Sequence, residues 1–481
     1  MIRLIKKYKI SLFIGFIVLI VIGTSIYHSY KPLPENVSFE GKEYYVDDVE
    51  FLYDLTYKQG EKTVTEHNIF DRIFEVIEEA EHFIVIDMFL FNGYNDGEKD
   101  FPPLSDNLMN ALLDKKEKNP EVDIVFITDE VNTTYGSHEA EELQKLKDHD
   151  IEVVHSNVEV LRDSNPLYSG VWRVFFQWFG QGGTGWVQNP MSKNAPETTV
   201  RSYLKLLNVK ANHRKVVITD KTGIISSANP HDASGFHSNT AFEVSGPIIE
   251  DMLITEQAVL DISGGGKLPG YNGFNKEGEQ EEQGSIKVQL LTEGKILKHI
   301  TKEIKAAKKG EEIWVGMFYI AERKVVDELI LAAQKGVKVR MILDPNQHAF
   351  GQQKIGLPNR PVAAEMVEEG EGNIEIKWYN TGGEQYHPKM IFFKGKEESS
   401  IIGGSANFTR RNLFDLNLET DIKIMSPNNE DIIMEMDDYY LRLWNNEDAE
   451  YTLPLEKYQD ETTPVKKVLY RIQKLLRFTT Y

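Results

Sequence analysis

Two histidine-lysine pairs with one residue between them stand far apart in this chain: His213 with Lys215, and His387 with Lys389. An apolar run follows each pair, and then a turn of small residues. The first turn carries Ser227 and Asn229; the second carries Gly403, Gly404, Ser405 and Asn407. On a strand, residues i and i+2 project to one face, so each histidine shares a side with its lysine. Two lysines neutralise the free oxygens of a phosphodiester and stabilise the charge that builds in its transition state. One neutral imidazole attacks phosphorus. The other, protonated, donates to the leaving oxygen and then activates water or an alcohol. Imidazole suits both tasks because it titrates near neutrality. Ser227, Asn229, Ser405 and Asn407 are expected to hydrogen-bond the phosphoryl group or to hold the histidines. Glu243 and Glu419, which follow the two turns, are candidates for orienting the histidines and fixing their tautomers. One such pair alone carries little information. Its repetition suggests one site assembled from two similar halves.

The elements that must position these residues also repeat. Residues 69–80 have apolar side chains at helical spacing (Ile69, Ile73, Ile77). The near-continuous apolar run 83–91 predicts a strand covered on both faces. A helix over 108–116 and a strand over 122–128, ending at Asp129, complete the series. The second half repeats it with a helix over 296–308, a strand over 313–320, a helix over 324–335 and a strand over 337–343, ending at Asp344. Met88-Phe89 answers Met317-Phe318. Alternating β and α elements imply α/β architecture, sheets with helices on both faces. The expected organisation is an N-terminal segment 1–31, a first α/β domain 32–262 that opens with a polar entry segment, an exposed linker 263–284, a second α/β domain 285–450, and a tail 451–481.

The chain has 481 residues, a net charge of -21 and no cysteine. Disulfides, thiol catalysis and cysteine-ligated zinc are therefore excluded. The acidic balance argues against a nucleic-acid partner, which requires basic surface. No metal constellation stands out; His231 and His237 read as loop residues, and no cofactor is expected. Residues 10–27 carry no charge, close to the ~20 residues that cross a bilayer core. Arg3, Lys6, Lys7 and Lys9 precede them, which places the N-terminus in the cytoplasm and the body outside the cell membrane. A cleaved signal peptide is the rival reading, although the run is long for one and no A-x-A site follows. The first half carries an aromatic insert at 165–186 with Tyr168, Trp172, Phe175, Phe176, Trp178, Phe179 and Trp186. It reads either as the core of a small subdomain or as an amphipathic wall dipping into lipid. In the tail, Val465, Val468, Leu469, Ile472, Leu475 and Leu476 alternate at helical spacing with Lys466, Lys467, Arg471, Lys474 and Arg477. This suits a clamp on an anionic membrane or a helix packed on the body.

The doubled phrase resembles the signature of the phospholipase D superfamily, H-x-K-x4-D followed by G-S-x-N. The first copy matches with His213, Lys215, Asp220, Ser227 and Asn229, Ser226 standing where glycine is usual. The second matches with His387, Lys389, Gly404, Ser405 and Asn407, but Lys394 occupies the aspartate position. The resemblance spans residues 65–445 and implies two similar α/β domains with mixed sheets, packed with pseudo-twofold symmetry. It implies catalytic roles for His213, Lys215, Asp220, His387 and Lys389, and a phosphohistidine intermediate. In the family's more usual order His213 would be the nucleophile and His387 the acid. With the anchor, the chain is similar to bacterial cardiolipin synthases and related phosphatidyltransferases. A phospholipid, phosphatidylglycerol, would then be the substrate, with an alcohol or water as acceptor. Two competing readings are a nuclease of the same superfamily and a non-catalytic membrane scaffold, the latter motivated by Lys394.

Overall fold

Two mixed sheets lie side by side, and one strand order runs through both. The computed structural model describes residues 8–95, 100–270, 284–349, 352–458 and 468. The first sheet has the order β3-β2-β9-β8-β7-β4-β5-β6. Its strands are β2 (Glu50–Gln59), β3 (Lys62–Glu66), β4 (Phe83–Met88), β5 (Asp123–Thr128), β6 (Glu152–His155), β7 (Lys215–Thr219), β8 (Gly223–Ser226) and β9 (Asn239–Val244). The second has the order β1-β10-β18-β17-β16-β11-β12-β15-β19. It contains β1 (Tyr44–Val46), β10 (Ile286–Thr292), β11 (Glu312–Met317), β12 (Lys338–Leu343), β15 (Ile374–Tyr379), β16 (Lys389–Lys394), β17 (Glu398–Gly404), β18 (Thr420–Pro427) and β19 (Thr452–Pro454). A small hairpin, β13 (His348–Ala349) with β14 (Gln352–Gln353), stands apart. The parallel ladder β4-β5-β6 corresponds to β11-β12-β15, and the antiparallel β9-β8-β7 to β18-β17-β16. Strands buried on both faces explain the apolar runs: all six residues of β4 are buried.

The helices are α1 (Lys9–Tyr30), α2 (Ile69–Glu79), α3 (Leu104–Lys118), α4 (Glu141–Asp148), α5 (Pro166–Phe175), α6 (Val200–Leu206), α7 (Ile248–Ser263), α8 (Gly294–Ala306), α9 (Arg323–Gln334), α10 (Asn359–Glu369), α11 (Arg410–Leu413) and α12 (Asp431–Asn445). Ile69, Ile73, Val76 and Ile77 of α2 pack with Leu108 and Leu112 of α3 against β4 and β5. The corresponding faces of α8 and α9 cover β11 and β12. Between the sheets a shared core joins Phe51, Phe242, Tyr379, Tyr386, Tyr439 and Trp314. Tyr379 and Tyr386 stack at 4.4 Å, and Tyr379 donates across to Thr56 O at 2.8 Å.

Two expectations need correction. The stretch 32–57 is not merely a polar lead-in. Phe51, Leu52, Leu55 and Tyr57 are buried in β2, and β1 pairs with β10 of the other sheet. The polar Asp54 and Thr56, buried in the same strand, break the apolar pattern and conceal it. The tail expected from 451 begins inside the fold: β19 pairs with β15 and Tyr451 is buried. Most of the basic helix expected at the end of the chain (465–477), like most of the linker, lies outside the described residues. The N-terminal apolar run forms α1, whose mean hydropathy is 2.5 over a window only 6 % buried in the protein.

Candidate active site

Each histidine sits two residues before a strand rather than within it, and each is placed by the opposite half of the molecule. His213 N donates to Leu418 O at 2.9 Å, and His387 N donates to Ser238 O at 2.8 Å. One residue earlier in the chain, a buried aspartate accepts a backbone N–H. Asp129 takes that of Asn212 at 2.7 Å, and Asp344 that of Tyr386 at 2.8 Å. Burial pushes both aspartates up to about 7, against the pull of these backbone bonds. Phe89 lies 4.9 Å from the His213 ring, and Phe318 lies 5.0 Å from that of His387. Lys215 and Lys389 open β7 and β16 and are fully buried. Lys215 Nζ donates to His213 O at 2.6 Å, and Lys389 Nζ to His387 O at 2.8 Å.

The second nitrogen of each ring meets an unequal partner. His213 Nδ1 lies 3.0 Å from Glu419 Oε2, which also accepts from Ser405 Oγ at 2.6 Å. Asn412 holds the other carboxylate oxygen. His387 Nδ1 lies 3.0 Å from Asn239 Oδ1, which accepts from Ser227 Oγ at 3.2 Å. Asn239 Nδ2 donates to His237 O, which orients the amide. Both partners are acceptors, so both histidines carry their proton on Nδ1 and keep a lone pair on Nε2; that of His387 lies 3.0 Å from Lys389 Nζ.

The two serines therefore support the histidines' partners. Asn407 is committed to Tyr319 N at 3.2 Å. Asn229 is buried, and its Oδ1 has no hydrogen-bond partner among the described residues. The exchange of glycine for Ser226 is compensated across the sheet. Ser226 pairs with Ala241 and its hydroxyl accepts Ala228 N at 2.9 Å. In the other half Gly404 pairs with Asp421, whose carboxylate accepts Ala406 N at 3.0 Å. One acceptor serves the turn in each half, supplied from opposite sides.

Two expected site residues lie elsewhere. Asp220 is at the far end of β7, where one oxygen accepts the N–H groups of Glu81, His82 and Phe83. It ties β7 to the start of β4 and cannot reach the substrate. Lys394, its counterpart, pairs instead with Asp437 at 2.6 Å, so the departure from the motif leaves the site untouched. Asp220→Ala should cost about 1–3 kcal/mol of stability while kcat changes less than about twofold. Thermal unfolding measured beside turnover checks this. Glu243 is bound by Arg72 at 2.8 Å and Thr222 at 3.0 Å, away from the histidines. The residue that takes the place expected for it is Asn239. Glu81, His82 and Asp220 are close enough together to hold an ion, but they are largely exposed and lie at the end of β7 away from the site.

Burial governs the electrostatics. It lowers His213 to about 4, against the attraction of Glu419 and reinforced by Lys215 and Lys389. His387 falls well below its usual value through burial, Lys389, His237 and the charges of the other half. Burial lowers Lys215 to about 7 and also holds Lys389 well below its usual value, the second with the help of the Lys215 charge. Glu419 stays below the usual carboxylate range: burial opposes ionisation, but the charges of His213 and Lys215 and the Ser405 bond outweigh it. Cations held partly discharged in a closed site form a receptor for an anion. A bound phosphate-like anion raises their affinity for protons, so binding is coupled to proton uptake. The stabilisation given by tungstate or vanadate should then be largest near pH 5–6 and shrink as pH rises through 7 and above. Thermal shifts at fixed anion concentration across this range check the sign.

The remaining observations come from relatives. Residues 300–444 match a family model described as cardiolipin synthase, PLD-like domain. Phosphatidylserine synthase from Haemophilus influenzae superposes with a TM-score of 0.58 at 13 % identity, covering 92 % of this chain and 97 % of that one. A phospholipase D family member, Nuc, from Salmonella typhimurium aligns with 35 % of this chain and 97 % of its own, at 19 % identity and a TM-score of 0.28. Polyphosphate kinase from Porphyromonas gingivalis aligns with 89 % of this chain and 53 % of its own, at 13 % identity and a TM-score of 0.44. A search of curated protein sequences returns no match. The family match over residues 300–444, the two-sheet fold shared with phosphatidylserine synthase and a paired His-x-Lys site built by exchange between the halves agree with the resemblance to the phospholipase D superfamily.

Proposed function

We propose that the chain is a membrane-anchored phosphatidyltransferase that moves a phosphatidyl group through a phosphohistidine, in the manner of a cardiolipin synthase. The observation that carries the mechanism is the unequal pairing of the histidines, Glu419 on His213 and Asn239 on His387. A carboxylate stabilises the positive charge that imidazole acquires when its Nε2 bonds to phosphorus, which favours His213 as nucleophile. A neutral amide orients His387 without holding its proton, which suits an acid that must release it. The substrate phosphate supplies the charge that protonates His387 on binding.

In the first half-reaction His213 Nε2 forms the phosphorus–nitrogen bond while the bond to the leaving alcohol breaks. His387 gives that oxygen its proton. In the second, His387 takes the proton of the incoming hydroxyl, whose oxygen attacks phosphorus and displaces His213. Lys215 and Lys389 neutralise the free phosphate oxygens throughout. With a second phosphatidylglycerol as acceptor the product is cardiolipin; with water it is phosphatidic acid. The apolar α1 and the phospholipid-synthase relatives favour a lipid over nucleic acid, as does the net charge of -21.

Lipid analysis after expression in a cardiolipin-free host, with His213→Ala as control, tests the proposal. Cardiolipin made by the wild type alone supports transfer. Phosphatidic acid without cardiolipin replaces transfer with hydrolysis. An unchanged lipid profile overturns the lipid reading.

A further inference from the structure

The aromatic insert has its apolar side turned outward. On α5 the residues Leu167, Val171 and Phe175 fall at i, i+4 and i+8 and form one exposed stripe; Leu167 is 73 % exposed. Beyond the helix Phe176 and Phe179 are also exposed, while Trp178 and Trp186 reach 74 % and 72 %. Single exposed apolar residues are ordinary, but a contiguous set containing two tryptophans marks a contact surface.

The opposite side of α5 is already committed, with Ser169, Gly170, Trp172 and Arg173 buried, so the stripe cannot turn inward. Arg173 is bound to Asp163 at 2.7 Å, and Asp163 also accepts Lys210 at 2.7 Å. Gly170 packs against α1, where a side chain would collide with Ser25 Oγ and Val21 O. Asp163 N donates to His28 O at 3.0 Å, and Arg162 Nε to Lys31 O at 3.0 Å. The insert is thus docked on the last turns of α1, within its apolar run. Whatever medium surrounds α1 at Val21–Ser25 also meets α5.

We propose that the insert is a second membrane contact, with α5 and residues 175–186 seated in the interfacial layer of the phospholipid bilayer that α1 crosses. The occupant of this surface is lipid, because the patch is continuous with the anchor and presents tryptophan and phenylalanine at the depth where aromatic side chains favour the interface. The insert also reaches the site. Ser164 Oγ donates to Asn208 O and Val209 O, and Lys210 Nζ to Leu161 O. These bonds stitch the base of the insert to the chain that leads into His213. Seating the insert therefore sets the site's height above the headgroups. The inference rests on reading α1 as a span and not on the reaction proposed above.

The test uses the full chain reconstituted in phosphatidylcholine–phosphatidylglycerol vesicles with brominated acyl chains. The bromine-quenchable part of the tryptophan fluorescence should fall by at least half in the Trp178→Phe/Trp186→Phe double variant. Bromines near the headgroup end should quench more strongly than bromines near the methyl end. An unchanged quenchable fraction overturns the proposal. Shielding of Trp178 and Trp186 from both bromine and aqueous iodide also overturns it, in favour of a protein partner or a second copy. The readout does not depend on turnover, so failure of the docking surface is distinguishable from failure of the proposed reaction.

Discussion

His213→Ala should abolish the reaction for every substrate, whereas His387→Ala should keep the first half-reaction whenever the leaving group needs no proton. On a natural phospholipid both variants should lose about 10⁴-fold or more in kcat, since the nucleophile and acid act as a unit. A nitrophenyl phosphodiester separates them, because its phenolate leaves unaided. His387→Ala should then release a burst of nitrophenol equal to the enzyme present and stall, with phosphorus bound to His213 Nε2. His213→Ala should give no burst. The asymmetry of Glu419 and Asn239 is the reason for expecting this order. Rapid-quench kinetics with mass spectrometry of the trapped peptide reads the outcome. Phosphate found on His387 in the His213→Ala protein would reverse the two roles.

The part of this molecule that the sequence exposed was the part written in periodic and repeated patterns. Apolar runs at β4 and β11, and helical spacing at α2 and α9, are local consequences of burial. They are visible wherever a strand is covered on both faces. The paired His-x-Lys was visible because it occurs twice in one order. What escaped depends on register between distant segments. Asn239 and Glu419 occupy corresponding positions, each just before or at the start of the strand that follows its turn, and each beside the bridge that places the other half's histidine. Counting from the serines puts them at unequal distances because the intervening loops differ, so Glu243 looked like the match for Glu419. The chemistry differs as well: an amide, Asn239, stands in the first half where the second has the carboxylate of Glu419. The motif groups Asp220 with the histidine, although a five-residue strand separates its carboxylate from the cleft. The strand β1 was hidden because three residues with one buried side chain leave no period to detect.

The unequal pairing also sets the second large expectation. Glu419→Gln keeps the shape of the site and removes one charge. It should lower kcat by about 10²–10³-fold and change KM little, because the charge matters most when the His213 ring turns cationic. The backbone frame should survive. Glu419 N remains tied to Glu293 Oε1 at 3.0 Å, and Glu293 is itself clamped by the buried Arg214 at 2.8 Å. Asn239→Asp makes the complementary change. A carboxylate beside His387 favours the imidazolium and should raise its titration by about 1–3 pH units. A stronger hold on the proton slows its transfer to the alcohol, while more of the enzyme carries that proton at high pH. The alkaline limb of kcat/KM should therefore move upward in pH and the plateau should fall. If His387 were the nucleophile, Asn239→Asp would instead strengthen the covalent adduct and Glu419→Gln would act on the acid, moving the limb downward. Full pH–rate profiles of the two variants beside the wild type distinguish these cases, because each substitution moves the alkaline limb when its histidine is the acid and the acid limb when its histidine is the nucleophile.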